Sequence, residues 1–547
     1  MRALAQGEAM TVLQLKSTAS PSGGLDAQTI INQSRSSEIF FAVVGPVGAG
    51  GTRVMTALAR AVQAAGFKPI PIKASAHIRD WAAKNGQAFP TQDQKSLTAV
   101  RRMQDLGDEM RENDRAAVAC EIIKGVASAR AEAMEVAFTP GDPVQPDGHK
   151  RAFLIDSIRH PAEINLLRRT YGDAFALIGV VCQEDERKER VLNKYFTRPD
   201  SILPDNIDQA EAFIKRDADD AEKSHGQHVS DAFHQADFFV DNTRGDATDD
   251  KRLLDDALSR LVNIITHDEV VRPRIEETAM HHAHSARVRS ACLSRQVGAA
   301  LIDGAGTVVA TGVNEVPRAG GGVYGEHFAS KHPPSDERCA FRQTPYCSSN
   351  REQNAIIDEL IAYLPELGGV TDKSGLAKRI RETRLGGLIE FSRAVHAEMD
   401  AMLSAGRAGV STIGTRLFVT TYPCHYCARH IVTAGVYEVQ YIEPYPKSRA
   451  LALHADAISI VPDTWTPPEV VSMAAERRIE ESPPEGRVLF RPFEGVAPRL
   501  YERAFEKTWG LKDKVSGDFK MTRPDWGDVW SPFTVAYPDL EARLTRM

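Results

Sequence analysis

The sequence of 547 residues is poor in cysteine and contains no long apolar run. Seven cysteines, an odd number, are too few for a disulfide framework, and their clustering in the C-terminal half indicates metal or catalytic chemistry. No stretch approaches the roughly 18 apolar residues of a membrane helix, which excludes a membrane-spanning protein. Residues 1–35 lack the apolar core of a signal peptide, so we expect a cytoplasmic protein with a flexible N-terminal tail.

An excess of basic charge is also absent. The 67 basic and 74 acidic side chains give a net charge of −7, and only 7% of the residues are aromatic. Nucleic-acid binding normally shows as a basic surface with stacking aromatics, so the composition argues against a nucleic-acid substrate. Hydrophobic residues make up 42% and charged residues 26%, as in ordinary globular proteins, which excludes collagen-like and wholly disordered chains.

The first patterned region predicts a nucleotide-binding α/β domain over residues 36–268. An apolar run at 39–44 precedes a glycine-rich turn at 45–52 and a helical pattern at 54–65. Such a strand, turn and helix open the parallel sheets that bind nucleotides. Further short apolar runs alternate with helical segments, which favours a P-loop-like parallel sheet covered on both faces.

The glycine-rich turn matches the phosphate-loop spacing Gly-x-x-x-x-Gly, but glycine stands where the motif has its phosphate-binding lysine. Backbone N–H groups of such a loop bind phosphate without side chains, whereas phosphoryl transfer needs the lysine. We therefore predict that the loop binds a nucleoside triphosphate and Mg²⁺, whereas hydrolysis of the triphosphate is not expected from the motif. Arg53 is a candidate to replace the positive charge of the missing lysine. The predicted residues of the site are Gly45, Gly48, Gly50, Gly51, Thr52 and Asp156.

The second half predicts another α/β unit, over residues 269–460, followed by a C-terminal extension at 461–547. Strand patterns at 296–302 and 307–312 flank the turn at 303–306 and predict a hairpin. Residues from about 320 to 385 have few strand patterns and are interpreted as an insertion. From residue 390 onward the pattern alternates between helix and strand.

The strongest chemical signal is His396-Ala-Glu398 followed by Pro423-Cys-His-Tyr-Cys427. Two cysteines three apart at the start of a helix place both sulfurs within reach of one tetrahedral ion, and a helix N-terminus favours the thiolate. His396, Cys424 and Cys427 then leave a fourth position for water, which is typical of catalytic Zn²⁺. Cys-x-x-Cys alone would equally suit a structural zinc, and the added His-x-Glu pattern favours the deaminase signature.

Glu398 is the predicted catalytic acid and base. Two thiolates cancel the charge of the ion, so the bound water needs a nearby base to lose its proton. A carboxylate can take that proton, pass it to the ring nitrogen and later protonate the departing amine. The predicted reaction converts a cytosine to uracil and ammonia.

Residues from about 279 to 460 resemble the deoxycytidylate deaminase family, on the zinc motif and on the segments 292–299 and 312–314. The resemblance implies a cytidine-deaminase-like α/β/α sandwich, a homo-oligomer and a small-molecule nucleotide substrate. It also implies substrate contacts from Asn314, Arg295, Tyr445 and Lys447. A second, structural zinc is implied by Cys292, Cys339 and Cys347, with His327 or His332, although irregular spacing leaves ordinary thiols as the alternative.

The two halves together resemble the bacterial anti-phage dCTP deaminases. That resemblance implies deamination of dCTP, with dCMP as a second substrate, and therefore depletion of the dCTP pool during phage replication. It also implies that the predicted nucleotide-binding domain over residues 36–268, the front domain, acts as a sensor. Segments 157–161 and 184–190 resemble small nucleotide kinases and dephospho-coenzyme A kinases.

Three alternatives remain open from the sequence. The chain is a dCMP deaminase of ordinary pyrimidine metabolism, or a polynucleotide cytosine or adenosine deaminase, or chiefly a nucleotide kinase or sensor with a secondary zinc domain. The composition argues against the polynucleotide alternative, and the missing lysine argues against the kinase.

Overall fold

The computed structural model describes residues 36–89, 96–218, 225–243, 248–267, 269–325, 335–445, 447–462, 465–468, 486–506, 510–520 and 537–546. The predicted tail at 1–35 lies outside the described residues. In the described part of the chain, no helix is both long and apolar enough to cross a membrane.

The described strands form two sheets of six strands each. The strands of the first, or front, sheet are β1 (Glu38–Val44), β2 (Lys68–Lys73), β3 (Arg151–Ile158), β4 (Phe175–Val181), β5 (Phe238–Asp241) and the short β12 (Gly495–Val496). The strands of the second sheet are β6 (Gly298–Ile302), β7 (Val308–Val313), β8 (Arg416–Thr421), β9 (Glu438–Glu443), β10 (Ile458–Ser459) and β11 (Val488–Pro492).

Helices connect the strands along the whole chain. Those of the front half are α1 (Gly51–Ala64), α2 (Ala74–Lys84), α3 (Leu97–Asn113), α4 (Ala117–Ala133), α5 (Pro161–Tyr171), α6 (Glu184–Tyr195), α7 (Pro204–Ala218), α8 (Val229–Phe233) and α9 (Thr248–Thr266). Those that follow are α10 (Ile275–Arg287), α11 (Ser348–Tyr363), α12 (Pro365–Gly368), α13 (Lys373–Glu382), α14 (Ala397–Arg407), α15 (His425–Thr433), α16 (Ala450–Leu453), α17 (Pro498–Phe505) and α18 (Tyr537–Leu544). Two 3₁₀ turns lie at Gly172–Ala174 and Arg384–Gly387.

The front sheet has the strand order β12-β5-β4-β1-β3-β2 and is parallel except for β12. All seven residues of β1 are buried, which explains the apolar run at 39–44 that follows Glu38. Because β1 lies between β3 and β4, the connections leave β1 and β3 toward opposite sides of the sheet. Ligands of such sheets bind at this switch point, outside the carboxyl ends of the strands. The glycine-rich turn after β1 lies at that edge.

The second sheet has the order β10-β11-β9-β8-β6-β7, with parallel pairs from β10 to β8 and antiparallel pairs from β8 to β7. The hairpin of β6 and β7 is antiparallel as predicted, with Ala299 opposite Gly312. The mixed α/β fold with two mostly parallel sheets is therefore confirmed. The predicted insertion carries helices α11 to α13, which bury a small core of their own around Ile357, Ile361 and Leu376.

The C-terminal extension joins the two sheets, which the sequence patterns did not indicate. Strand β11 pairs with β9 of the second sheet, and β12, three residues later, pairs antiparallel with β5 of the front sheet. Between them, the buried Phe493 belongs to the core that contains both β1 and Phe418 of β8. One continuous apolar core therefore underlies both sheets.

Helix α18 is anchored to the front sheet by a buried ionic network. The guanidinium of Arg130 donates to Glu38 at 2.8 Å and to Glu541 at 2.6 Å. Tyr171 and Tyr537 donate hydroxyl groups to the same two carboxylates, at 2.9 and 2.7 Å. Since all these groups are buried, loss of one partner would strand charge in the interior.

Candidate active site

Two helix N-termini bring the predicted metal ligands together. His396 is the N-cap residue of α14, and Glu398 lies in the first turn of that helix. Cys424 is the N-cap residue of α15, and Cys427 lies in its first turn. Helix α14 packs closely on β7, because a Cβ built at Gly312 would lie 2.1 Å from the carbonyl oxygen of Ala397. Only glycine permits this approach, which fixes α14 against the sheet.

The three candidate ligands fit a zinc ion. The Nδ1 atom of His396 lies 3.2 Å from Sγ of Cys424 and 3.4 Å from Sγ of Cys427. Tetrahedral Zn²⁺ with bonds of about 2.0 Å to nitrogen and 2.3 Å to sulfur separates such ligands by about 3.5 Å. In the described part of the chain, this is the one set of three potential ligands whose donor atoms all lie within 4.8 Å. One nitrogen and two sulfurs are a donor set that zinc prefers.

The local electrostatics favour a thiolate at Cys424. A hydrogen bond from the Cys427 thiol lowers the pKa of Cys424 to about 4, against the effect of burial and with help from His396. Burial lowers the pKa of His396, but the hydrogen bond and negative charge of Cys424 outweigh burial and raise it to about 9. Cys424 and His396 therefore stabilise each other as a thiolate and an imidazolium.

Glu398 lies beside the ligands with its carboxyl group buried. Burial raises the pKa of Glu398 to about 7, and the negative charge of Cys424 adds to the rise. A carboxyl group with this pKa can both accept and return a proton near neutral pH. Its side chain is 4% exposed and lines the same cavity as His396 and Cys424.

A cavity of about 390 Å³ opens at the candidate zinc site. The four residues predicted as substrate contacts line it together with the site, namely Arg295, Asn314, Tyr445 and Lys447. The sequence reasoning missed Arg393, Ser348 and Ser349, which also line it. Arg393 lies three residues before His396, and that proximity was the available signal. The two serines come from the first turn of α11, so the insertion forms part of the cavity wall.

The side chain of Asn314 holds a loop of the cavity wall. Its Nδ2 donates to the carbonyl of Arg295 at 2.6 Å, and its Oδ1 accepts the N–H of Val297, also at 2.6 Å. The side-chain amide of Asn314 therefore bridges the backbone groups of the residues before and after position 296. The geometry makes Asn314 a support for Arg295 at the cavity, in addition to the predicted contact with a nucleotide.

Cationic side chains dominate the wall of the cavity. Apart from His396, the charged groups among its described lining residues are the cations of Arg295, Arg393 and Lys447, the carboxyl group of Glu398 and the thiolate of Cys424. Arg295 pairs with Glu443 at 3.3 Å, and Arg393 donates to the carbonyl of Glu337 at 2.7 Å. An excess of cations beside a cavity attracts anionic ligands.

The residues of the predicted second zinc, Cys292, Cys339 and Cys347, line the same cavity. In the part of the chain that the structure describes, they do not form a set of three ligands within 4.8 Å. The candidate histidines at 327 and 332 lie outside the described residues. The second zinc therefore stays a prediction.

The predicted phosphate loop connects β1 to α1 at the carboxyl edge of the front sheet. Gly48 and Gly50 adopt φ values of 85° and 82°, which only glycine adopts without strain. The carboxylate of Asp156, on β3, lies 3.9 Å from the position of a Cβ at Gly51, the first residue of α1. The loop glycines, Thr52 and Asp156 therefore lie together at one helix N-terminus, where an anion is favoured.

Asn242 and two arginines hold the back of this loop. Asn242 donates to the carbonyl of Ala49 at 2.7 Å and accepts a hydrogen bond from Arg53 at 2.7 Å. Arg190 donates to the carbonyl oxygens of Asn242 and Thr243, at 2.8 and 2.7 Å. Arg53, the predicted replacement for the missing lysine, thus contacts the residue that supports the loop.

Comparisons with known proteins agree with the zinc site. Residues 273–443 match the model of the cytidine and deoxycytidylate deaminase zinc-binding region. The deoxycytidylate deaminase of Enterobacteria phage T4 is 31% identical over 176 residues, which are 31% of this chain and 79% of the phage protein. That of Enterobacteria phage T2 is 30% identical and is covered to 81%.

A solved structure also matches this part of the chain. The dCMP deaminase from the cyanophage S-TIM5 is 20% identical and is covered to 94%, over 34% of this chain, with a TM-score of 0.20. A TM-score this low carries no argument about the fold.

The three candidate zinc ligands beside the buried carboxyl group of Glu398, within the matched region, define a zinc-binding hydrolytic deaminase. Since the phage T4 relative is covered over most of its length, the chain belongs to the cytidine and deoxycytidylate deaminase family. The family match at residues 273–443 covers strands β6 to β9 of the second sheet, and it leaves β10, β11 and the front half outside.

Proposed function

We propose that the chain deaminates deoxycytidine nucleotides, with dCTP as the main substrate and dCMP as a second one. The observation that carries the proposal is the set of half-buried His396 and buried Cys424 and Cys427 beside Glu398, in a cation-lined cavity. The names of the phage relatives support a deoxycytidine nucleotide as the substrate class.

The imidazole and the two sulfurs would hold a zinc ion, which supplies Lewis acidity to a coordinated water. Glu398 takes a proton from the attacking water and delivers it to N3 of the cytosine ring. The water oxygen forms its bond to C4. Glu398 then returns a second proton from that oxygen to the 4-amino group, the C4–N bond breaks, and ammonia leaves. The balanced reaction is dCTP plus water to dUTP plus ammonia.

The charge of the cavity wall supports a substrate with several phosphates. Arg295, Arg393 and Lys447 line the cavity, whereas Glu398, its one lining carboxyl group among the described residues, is buried at the base. Glu443 offsets part of the charge of Arg295, and the remaining cationic excess from Arg393 and Lys447 suits a chain of phosphates, whose oxygens guanidinium groups bind in pairs. This excess favours dCTP over dCMP.

A substrate panel at fixed zinc content tests the proposal. We expect ammonia and a uracil nucleotide from dCTP, slower turnover of dCMP, and little turnover of CTP or of an oligonucleotide that contains cytosine. A dCMP deaminase of ordinary pyrimidine metabolism, the alternative favoured by the names of the relatives, predicts the reverse order for dCTP and dCMP. Turnover of the oligonucleotide alone would contradict both.

For the front domain we propose a nucleotide sensor that binds a nucleoside triphosphate with Mg²⁺ at residues 45–52 and Asp156. The positive-φ glycines before α1 support a phosphate site built from backbone N–H groups. With glycine at position 51, the loop lacks the lysine that phosphoryl transfer requires.

A dCTP deaminase under such control would deplete a precursor of phage DNA, and we propose defence against phage as its role. Phage should form fewer plaques on cells that produce the wild-type chain, and these cells should lose dCTP on infection. Cells that produce the Glu398→Gln variant should show the normal number of plaques and keep their dCTP. Equal protection by both chains would contradict the role.

A further inference from the structure

A buried carboxylate at the end of α7 is bound to the phosphate loop. Asp217 is 2% exposed, and its Oδ2 accepts the N–H of Val47 at 2.7 Å. Both of its oxygens accept from Nη1 of Arg159, at 2.8 and 3.1 Å. Val47 is the residue before Gly48, so an internal anion already lies against the first half of the loop.

Arg159 links this carboxylate to the loop a second time. It follows β3, and its Nη1 also donates to the carbonyl of Gly45 at 3.1 Å. A backbone N–H group together with a guanidinium is the combination that proteins use to bind phosphate oxygens. Asp217 therefore has the contacts expected of a bound phosphate.

We propose that Asp217 is an internal substitute for a phosphate, and that a nucleoside triphosphate bound at the loop displaces it from Val47 and Arg159. Arg159, released from Asp217, then provides the positive charge that Gly51 does not. The inference rests on the phosphate site of the proposed function. It adds Arg159 as a residue that binds the phosphate and Asp217 as a residue that competes with the phosphate.

The energetics of the contact permit such an exchange. Burial raises the pKa of Asp217 even though Arg159 and the N–H of Val47 oppose the rise. A buried ion pair of this kind contributes little net stability, because desolvation offsets the attraction. A phosphate on the adjacent N–H groups would repel the carboxylate, so the two anions compete for the same cation.

Displacement would act beside helix α6, which contacts both the loop and the region of the second sheet. A Cβ at Gly48 would lie 2.6 Å from the carbonyl oxygen of Arg187, so α6 packs directly on the loop. Gln183, the N-cap residue of α6, donates to the carbonyl of Ile460, which follows β10, at 3.2 Å. Release of α7 would therefore occur near the contact of Gln183 with Ile460, which joins the front domain to the region of the second sheet.

The test compares ATP binding by calorimetry for the full-length wild type and the Asp217→Asn variant. Asparagine keeps the shape and an acceptor for Val47 but removes the competing charge, so we expect affinity to rise about tenfold or more. Adding Gly50→Ala to Asp217→Asn should abolish the binding, which assigns it to the loop. Unchanged or weaker binding by Asp217→Asn overturns the proposal.

Asp237→Asn is the matched control. Asp237 is also buried, and it accepts from Leu177 N–H at 2.8 Å and from Arg168 at 2.8 Å, but it precedes β5, at the opposite edge of the front sheet. We expect its affinity for ATP to stay within twofold of wild type. An equal gain in both variants overturns the proposal, because general loosening would then explain it.

Hydrogen–deuterium exchange of the wild type provides a second measurement that needs no variant. Saturating ATP should raise exchange in residues 204–218, and unchanged or slower exchange there overturns the displacement. If neither the wild type nor any of the variants binds ATP, both the proposed phosphate site and this inference are wrong. Deamination of dCTP, measured in parallel, shows separately whether the proposed enzyme activity stands.

Discussion

The two candidate sites of this chain use different parts of the polypeptide. In the deaminase sheet, the imidazole of His396 and the thiols of Cys424 and Cys427 converge beside a buried carboxyl group. In the front sheet, backbone N–H groups of a glycine turn form the site, and its side chains mainly hold the turn in place. The residue types of a side-chain site indicate its chemistry in the sequence. The glycines of a backbone site indicate that a ligand binds there, but they do not indicate which reaction follows.

The largest expected effect is the loss of metal from Cys427→Ser. With one sulfur removed, zinc should fall to below about a tenth of an ion per chain and deamination to background, since thiolate is the stronger ligand. Metal analysis and ammonia release measure both. Cys182→Ser, at a half-buried thiol of the front half, should keep zinc and activity. Loss of ATP binding in Cys427→Ser would show that the two sites are not independent.

Next, Glu398→Gln should lower kcat by about 10²- to 10⁴-fold and keep full zinc content, because the amide cannot transfer the proton. The exposed Glu382→Gln serves as a control. Turnover within tenfold of wild type would contradict the assigned role of Glu398.

The stability of the front half should depend on its buried ionic network more than on its surface ion pairs. Arg130→Met leaves Glu541 buried without its cation and leaves Glu38 with the more distant Arg151, at 3.6 Å, so the free energy of unfolding should fall by about 3–5 kcal/mol. Arg60→Met breaks an exposed pair with Asp255 and should cost at most about 1 kcal/mol. Urea denaturation measures both, and equal losses would contradict the importance of the buried network.

Lys447→Ala should affect substrate binding more than turnover. Lys447 lines the cavity with an exposed side chain, and loss of one charge-assisted contact of about 1.5–3 kcal/mol should raise KM for dCTP roughly tenfold or more. The KM for deoxycytidine, which has no phosphate, should stay unchanged. Equal increases for both substrates would place Lys447 away from the phosphates. Lys378→Ala, at an exposed position of α13, is the control.

The smallest effect on deamination is expected from Gly50→Ala. Its Cβ would lie 2.3 Å from Nδ2 of Asn242 at a φ of 82°, so ATP binding should be lost and stability should fall by about 1–3 kcal/mol. Zinc content and basal turnover of dCTP should be retained. Gly66→Ala has the same φ of 82° with nothing within 4 Å of its Cβ, which isolates the clash from the backbone strain. Normal ATP binding in Gly50→Ala would contradict the loop site.

Local sequence patterns predicted the elements that position both sites. The apolar run before the glycine turn became most of β1, and the Cys-x-x-Cys spacing placed Cys424 at the N-cap of α15 and Cys427 in its first turn. These features depend on neighbours in the sequence, which periodicity and caps record.

Contacts between distant segments were beyond such patterns. Glu38, Arg130 and Glu541 meet in one network although hundreds of residues separate the first from the last, and nothing near any of them indicates a partner. The same holds for Asp217, which lay in a charged stretch that predicts a solvated helix face but is buried against the phosphate loop. The side chain of Ser348 reaches the cavity only through the fold of the insertion.

The most direct test of the central claim is the source of oxygen in the product. Zinc-loaded wild-type chain supplied with dCTP in ¹⁸O-labelled water should yield dUTP with one ¹⁸O at C4 for each ammonia released. Release of ammonia without label at C4, or no deoxyuridine nucleotide at full zinc occupancy, would contradict hydrolytic deamination at this site.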